Sequence, residues 1–230
     1  MARQKAKRTS PSRQQQSAQA LWFILGLAGI AVILLILIGT MSRNNEVKPA
    51  DASLEGIPVS GKTLGYPDAP VTVWDFSDFH CPHCREFAFG PEQKLIQEYV
   101  KTGKVKFVFK HFIISSASYL PANAAECANE QGQFWAYHNY LYEKQPTDTP
   151  FTVEKLKRYA RDLGLDTKAF DACMDSGKYM NEIMREMDEG RSLGVRGTPS
   201  IFVNGQYIER GMFWDVLKAA VDRALKEATP

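Results

Sequence analysis

Four residues, Cys81-Pro82-His83-Cys84, form the most reactive pattern in the chain. Two thiols at this spacing can make and break a disulfide with each other. The run before them, Val71-Thr72-Val73-Trp74-Asp75-Phe76, is rich in β-branched and aromatic residues and predicts a buried strand. Arg85 to Lys101 predicts a helix. The junction puts Cys81 near the N-cap, Pro82 at the first helical position and Cys84 one turn in. Unpaired N–H groups and the positive dipole end at a helix start favour negative charge. Cys81 is therefore expected as a thiolate at neutral pH, the nucleophile of thiol–disulfide exchange. His83, when charged, adds positive potential beside it. Cys84 is within reach to form or resolve a disulfide with Cys81. The competing reading is half of a zinc site using His80, Cys81, His83 and Cys84; their spacing is too tight for all four to surround one metal.

The elements that must position this pair are legible around it. Pro58 to Gly65 reads as a lead-in with a short strand, closed by the turn Gly65-Tyr66-Pro67-Asp68. The Gly90-Pro91 step predicts a kink or restart in the helix. Val105 to Phe109 predicts a second strand. From about Ser116 to Leu193 the pattern is helical. Ala124, Cys127 and Ala128, then Trp135, His138 and Leu141, predict one amphipathic helix. Leu156, Tyr159, Ala160 and Leu163 predict a second, stopped by Gly164. Asp166 caps a short third with Phe170, Cys173 and Met174 inward, and Tyr179 to Leu193 gives a fourth. Ser200 to Val203 and Gln206 to Ile208 flank Asn204-Gly205, a strong hairpin signal. A closing helix runs from Phe213 to about Glu227, with Phe213, Leu217, Ala220, Val221 and Ala224 on its inner face. The order is a helical block inserted into a small α/β unit.

With 230 residues, 44% hydrophobic and 23% charged, the composition is that of an ordinary globular domain with appendages. The net charge of +2 conceals an asymmetry: residues 1–20 carry five basic side chains and no acid, whereas from residue 42 onward 26 acids outnumber 23 bases. The basic excess belongs to the tail, which argues against nucleic-acid binding by the folded part. Leu21 to Ile38 is an unbroken apolar run of 18 residues, and Gly39, Thr40 and Met41 extend it to 21. That is enough to cross a bilayer. It is too long for the core of a cleaved signal peptide, and no good small-x-small site follows. Residues 1–20 are thus expected as a cytoplasmic tail, 21–41 as a single-pass anchor, 42–54 as a linker and 55–227 as an extracytoplasmic domain. Four cysteines fit an oxidising compartment.

Cys81-Pro82-His83-Cys84, Asp75 six residues upstream, Gly197-Thr198-Pro199 before a strand, and the helical insertion together resemble the thioredoxin-fold oxidoreductases. Within them the chain is similar to the DsbA-like disulfide oxidoreductases, especially the membrane-anchored, BdbD-like group. The resemblance covers about residues 55–227. It implies a thioredoxin-like α/β fold with a helical subdomain at 116–193, preceded by a transmembrane helix. It makes Asp75 the buried acid that exchanges a proton with Cys84; burial in a strand would raise its pKa. Asp78, nearer in sequence, is expected to be more exposed.

Pro199 is expected cis, in a loop beside the reactive sulfur whose main chain pairs with extended substrate. Thr198 departs from the valine of many DsbA oxidants and also occurs in isomerases of the superfamily. A reductase or isomerase therefore stands beside an oxidase as an alternative. So does a metal-binding assembly factor that uses the Cys/His cluster. The resemblance also suggests a structural disulfide between Cys127 and Cys173; two buried thiols packing as small hydrophobes is the other reading. No bound cofactor is implied, since the Cys81–Cys84 disulfide is the redox group. Expected partners are thiols of exported proteins and a quinone-linked membrane reoxidant. His138, beside Trp135, is expected as a core histidine, His111 is given no role, and Phe79 and Phe87 are expected in the core or a groove wall.

Overall fold

The computed structural model describes residues 54–228. The basic tail at 1–20, the anchor expected at 21–41 and nearly all of the expected linker lie outside the described residues. Among the described residues, no helix is long and apolar enough to cross a membrane.

Two short strands, β1 (Val59–Ser60) and β2 (Thr63–Leu64), precede β3 (Val71–Ser77). Then come α1 (Pro82–Phe89), α2 (Pro91–Leu95, continued by a π-helical turn, Ile96–Val100) and β4 (Val105–His111). Five helices follow: α3 (Tyr119–Asn129), α4 (Phe134–Asp148), α5 (Val153–Asp162), α6 (Thr167–Ser176) and α7 (Met180–Ser192). The chain ends in β5 (Ser200–Val203), β6 (Gln206–Tyr207) and α8 (Trp214–Ala228). The strands form one sheet in the order β1-β2-β4-β3-β5-β6. β3 and β4 pair in parallel from Val71 opposite Val105 to Ser77 opposite His111, whereas β5 runs antiparallel to β3.

Alternation along β3 decides what faces the reactive pair. Val71 and Val73 enter the main core with Cys81, Cys84 and Phe87, whereas Phe76 and Trp74 join Phe112, Val195 and Phe202 on the opposite face. Strand periodicity puts Asp75 and Ser77 on the Val71–Val73 side. In the β5–β6 hairpin, Asn204 and Gly205 take φ of 48° and 79°, the left-handed pair that a two-residue turn requires. Asn204 Oδ1 also accepts from Thr72 N at 2.8 Å, tying the turn to β3.

The expected kink or restart at Gly90-Pro91 is found: α1 ends at Phe89, a Cβ at Gly90 would lie 2.9 Å from Glu86 O, and Pro91 opens α2. Two local expectations need correction. The single helix through Ala124 and Leu141 is two, because the chain reverses at Gly132 with φ of +70°. Phe213 is 45% exposed rather than inward, since it precedes α8 and its ring lies under the Arg210 guanidinium. His138 is fully buried among aromatic rings, including Trp135.

A buried ionic cluster joins the β1–β2 turn to the insertion. Lys62 Nζ lies 2.5 Å from Glu126 Oε1 on α3 and 2.7 Å from Glu186 Oε1 on α7. His111 is part of it, contrary to expectation: it ends β4, is buried, and its Nε2 lies 3.0 Å from Glu126 Oε1. Burial opposes the Glu126 charge, but the hydrogen bonds and charges of His111 and Lys62 outweigh it and hold the carboxyl down at about 2. A depressed carboxyl contributes stability above its unfolded pKa and loses it as pH falls toward the folded value. Glu126→Gln is therefore expected to flatten the acid limb of stability between about pH 4.5 and 2. The slope should fall by about one proton's worth, about 1.4 kcal/mol per pH unit. Urea unfolding across that range measures it; an unchanged slope would contradict the assignment.

Candidate active site

The loop between β3 and α1 is held from three sides. Asp78 Oδ1 accepts from His80 N at 2.7 Å, and its Oδ2 accepts from Ile114 N at 2.8 Å. This is why Asp78 is buried rather than exposed as expected: both oxygens satisfy main-chain donors. From α4, Gln145 Nε2 donates to Phe79 O at 2.8 Å and Cys81 O at 3.0 Å. Phe79 stacks on Phe109 of β4 with ring centroids 5.4 Å apart. Sequence reasoning assigned no role to Gln145. It lies 64 positions from Cys81, and no local pattern marks it.

Cys81 and Cys84 are free thiols, both buried. Cys81 is the N-cap of α1, with φ of −78° and ψ of 118°, and Pro82 is the first helical residue. The Cys81 Sγ donates to Thr198 O at 3.3 Å, and the Thr198–Pro199 peptide is cis. The Thr198 hydroxyl is buried with no acceptor in the thiol form. Once the sulfur is charged, that hydroxyl is a donor to it. A hydrogen bond from the Cys84 side chain is the largest influence on Cys81. Burial opposes it, and the Thr198 side chain with the N–H groups of Cys84 and His83 completes the set. Together they pull the Cys81 thiol down to about 6.

His83 contributes through its main chain; its imidazole is exposed and pairs with Glu86 Oε2 at 3.1 Å. The N–H of His83 donates to Cys81, and the charges of the imidazole and of Cys81 also act on each other, the thiolate adding to Glu86 in favouring the charged imidazole. The same geometry pushes Cys84 well above the ordinary thiol range, through burial first, then its hydrogen bond to Cys81 and the charge of Asp75. Burial also raises Asp75 to about 7 against the hydrogen bond it accepts from Ser77. The site thus pairs one thiol that ionises readily with one that holds its proton, beside an acid that titrates near neutrality. That combination can attack, and be released from, a disulfide at Cys81 while moving a proton at Cys84.

A cavity of about 340 Å³ opens beside Cys81, lined by His80, Pro82, Arg85, Glu86, Gln145 and Thr149. His80 is turned aside: its Nδ1 lies 3.1 Å from Ser118 Oγ and its ring packs on Phe151. Among the described residues, the set of three or more His, Cys, Asp or Glu donors gathered within 4.8 Å is His111, Glu126 and Glu186, not the cysteine cluster. Lys62 already supplies the positive charge there. Cys127 on α3 and Cys173 on α6 are joined in a disulfide, with Cα atoms 5.7 Å apart.

The family profile described as thioredoxin matches residues 59–223. The probable disulfide bond formation protein D of Bacillus anthracis is 32% identical over 205 residues, covering 86% of this chain and 94% of that protein. Among solved structures, oxidised BdbD from Bacillus subtilis superposes with a TM-score of 0.66 at 28% identity, over 72% of this chain and 93% of that one. A thioredoxin-like oxidoreductase from Silicibacter pomeroyi gives 0.60 at 29% identity, over 80% and 98%. With its Cys-Pro-His-Cys pair at a helix start beside a cis-proline loop, the chain belongs to the thioredoxin family and, within it, to the DsbA-like disulfide oxidoreductases, whose redox group is a disulfide of the protein itself.

Proposed function

We propose that the chain is an oxidase that passes the Cys81–Cys84 disulfide to paired thiols of exported proteins. A substrate thiolate attacks Cys81 Sγ, the Cys81–Cys84 bond breaks, and Cys84 leaves with the electron pair and gains a proton. The substrate's second thiolate then attacks the mixed disulfide and releases Cys81 as thiolate. The substrate is oxidised by two electrons and the enzyme reduced by two. The observation that carries this direction is the asymmetry of the thiols, about 6 at Cys81 and well above 9 at Cys84. A stable Cys81 thiolate favours the reduced enzyme, which makes the disulfide oxidising.

Regeneration needs an electron acceptor, and a membrane-embedded, quinone-linked partner fits the family. The apolar run at 21–41, with five basic residues before it, supports a single-pass anchor that keeps the N-terminus cytoplasmic and the thiols outside.

The test is the reduction potential of the pair, by equilibration with glutathione buffers. A value above about −200 mV, toward about −120 mV, is expected; one near about −270 mV would indicate a reductase. The pH dependence is a second reading. Two protons accompany two electrons below the Cys81 pKa, and one above it. The slope is expected to fall from about 59 to about 30 mV per pH unit, with the break near pH 6.

A further inference from the structure

We infer that the cavity beside Cys81 is a subsite for an acidic side chain next to the substrate's reacting cysteine, with Arg85 as the group that binds it. The inference deepens the proposed exchange and rests on Cys81 as the point of attack. Arg85 follows Cys81 by one helical turn, and its N donates to Cys81 O at 3.2 Å. Side chains at that spacing are neighbours, with Cβ atoms about 5–6 Å apart. A residue adjoining a cysteine bonded to Cys81 is only one chain step from it, about 3.8 Å between Cα atoms. Its side chain therefore falls within reach of Arg85.

The guanidinium is already aimed. Its Nε donates to Tyr142 O on α4 at 2.9 Å, and its Cζ lies 5.2 Å over the Phe89 ring. Its Nη nitrogens have no acceptor and no acidic partner among the described residues. The helix does not account for the charge either, since a cation near a helix start gains nothing from the dipole. The other polar groups lining the cavity leave Arg85 as the cation there. Gln145 Nε2 holds Phe79 O and Cys81 O, and Thr149 Oγ1 donates to Gln145 O at 2.5 Å. Glu86 is exposed and turned to His83 Nδ1. His80 lies with Nδ1 against Ser118 Oγ, and burial lowers its pKa, which keeps the ring uncharged at neutral pH. A planar guanidinium with open Nη donors meets a carboxylate through parallel hydrogen bonds. At about 340 Å³ the space is ligand-sized.

The experiment oxidises dithiol peptides with the full chain in its Cys81–Cys84 disulfide form, by stopped flow at low ionic strength. The peptides differ only in one residue beside the first cysteine, which is Asp, Asn or Lys. Each rate is divided by that of the same peptide with bis(hydroxyethyl) disulfide, an uncharged reference, so that the neighbour's effect on the cysteine itself cancels. The Asp peptide is expected to react about 10-fold faster than the Asn peptide, the lower end for hydrogen bonds to charged groups because Arg85 is only half-buried. Salt should shrink that advantage. Arg85→Gln should abolish the preference, and Arg85→Glu should transfer it to the Lys peptide. A loss equal for all three peptides would make Arg85 only a tie between α1 and α4, and would overturn the subsite. Equal wild-type rates for the Asp and Asn peptides would overturn it as well, and that comparison stands even where an Arg85 variant does not fold. Failure of the oxidase reading has a separate signature, a reductase's potential in the wild type. The preference is then read in reverse, with the reduced protein acting on the disulfides of the same peptides.

Discussion

Cys81→Ser is expected to reduce thiol–disulfide exchange to the uncatalysed rate. A serine hydroxyl neither ionises near neutrality nor forms a bond that exchanges with sulfur. Cys84→Ser should behave differently. Cys81 would still attack substrate disulfides but would stay linked to them, so mixed disulfides should accumulate and resolve when dithiothreitol is added. The two thiols are also coupled electrostatically, which gives a finer test. The leading influence on the Cys81 thiolate is the hydrogen bond from Cys84. Cys84→Ala removes that donor and should raise the Cys81 pKa above about 6, whereas Cys84→Ser leaves an O–H in place and should raise it less. Thiolate absorbance near the ultraviolet limit, followed against pH, reads this directly. Equal pKa values in wild type and Cys84→Ala would mean that the helix N–H groups and Thr198 suffice, and the pairwise account would be wrong.

Removing the second disulfide carries the largest expected effect on stability. Cys127 and Cys173 close a loop across 46 positions and join α3 to α6. On the chain-entropy account, opening such a loop in the unfolded state costs about 4 kcal/mol. For a domain of this size that corresponds to a fall in Tm of about 8–16 °C. Cys127→Ala/Cys173→Ala is the variant to compare, since two alanines leave no lone thiol to mispair. Cys127 and Cys173 are bonded to each other between α3 and α6 and take no part in the proposed exchange at Cys81. The double variant should therefore keep the Cys81 pKa and the reduction potential while melting earlier. A Tm within about 3 °C of wild type would show that the unfolded chain gains little freedom on losing the link. A shifted potential would show that the insertion's integrity reaches the reactive pair.

Much of the architecture was legible because its signals are local. The strand before Cys81, the hairpin at Asn204-Gly205 and the Asp166 cap each rest on a few adjacent residues whose conformational preferences agree. The errors arose where periodicity continued across a break. Ala124 and Leu141 fit one helical stripe, yet the left-handed turn at Gly132 divides it. Phe213 fits the inner stripe of the last helix but precedes its first turn. Apolar spacing records which positions can share a face; it does not record where a chain reverses.

At the site, the division between the two sources of information is sharper. From sequence alone came the pair Cys81 and Cys84, the helix start that favours a thiolate, and Asp75 in a strand destined for burial. These depend on spacing along a single β–α unit. Tertiary structure alone decided the rest. It brought Thr198 O, 117 positions away, to 3.3 Å from Cys81, and it brought Gln145 onto the main chain around Cys81. It buried Asp78 by giving both its oxygens main-chain donors, and turned the His83 imidazole outward to Glu86. It gathered Lys62, His111 and Glu126 from three separate elements. Apart from the local pairs Asp78–His80 and His83–Glu86, the physical reason is shared. A hydrogen bond or ion pair depends on angstrom-scale placement of groups that the sequence leaves tens of positions apart, and only tertiary packing around the sheet supplies it.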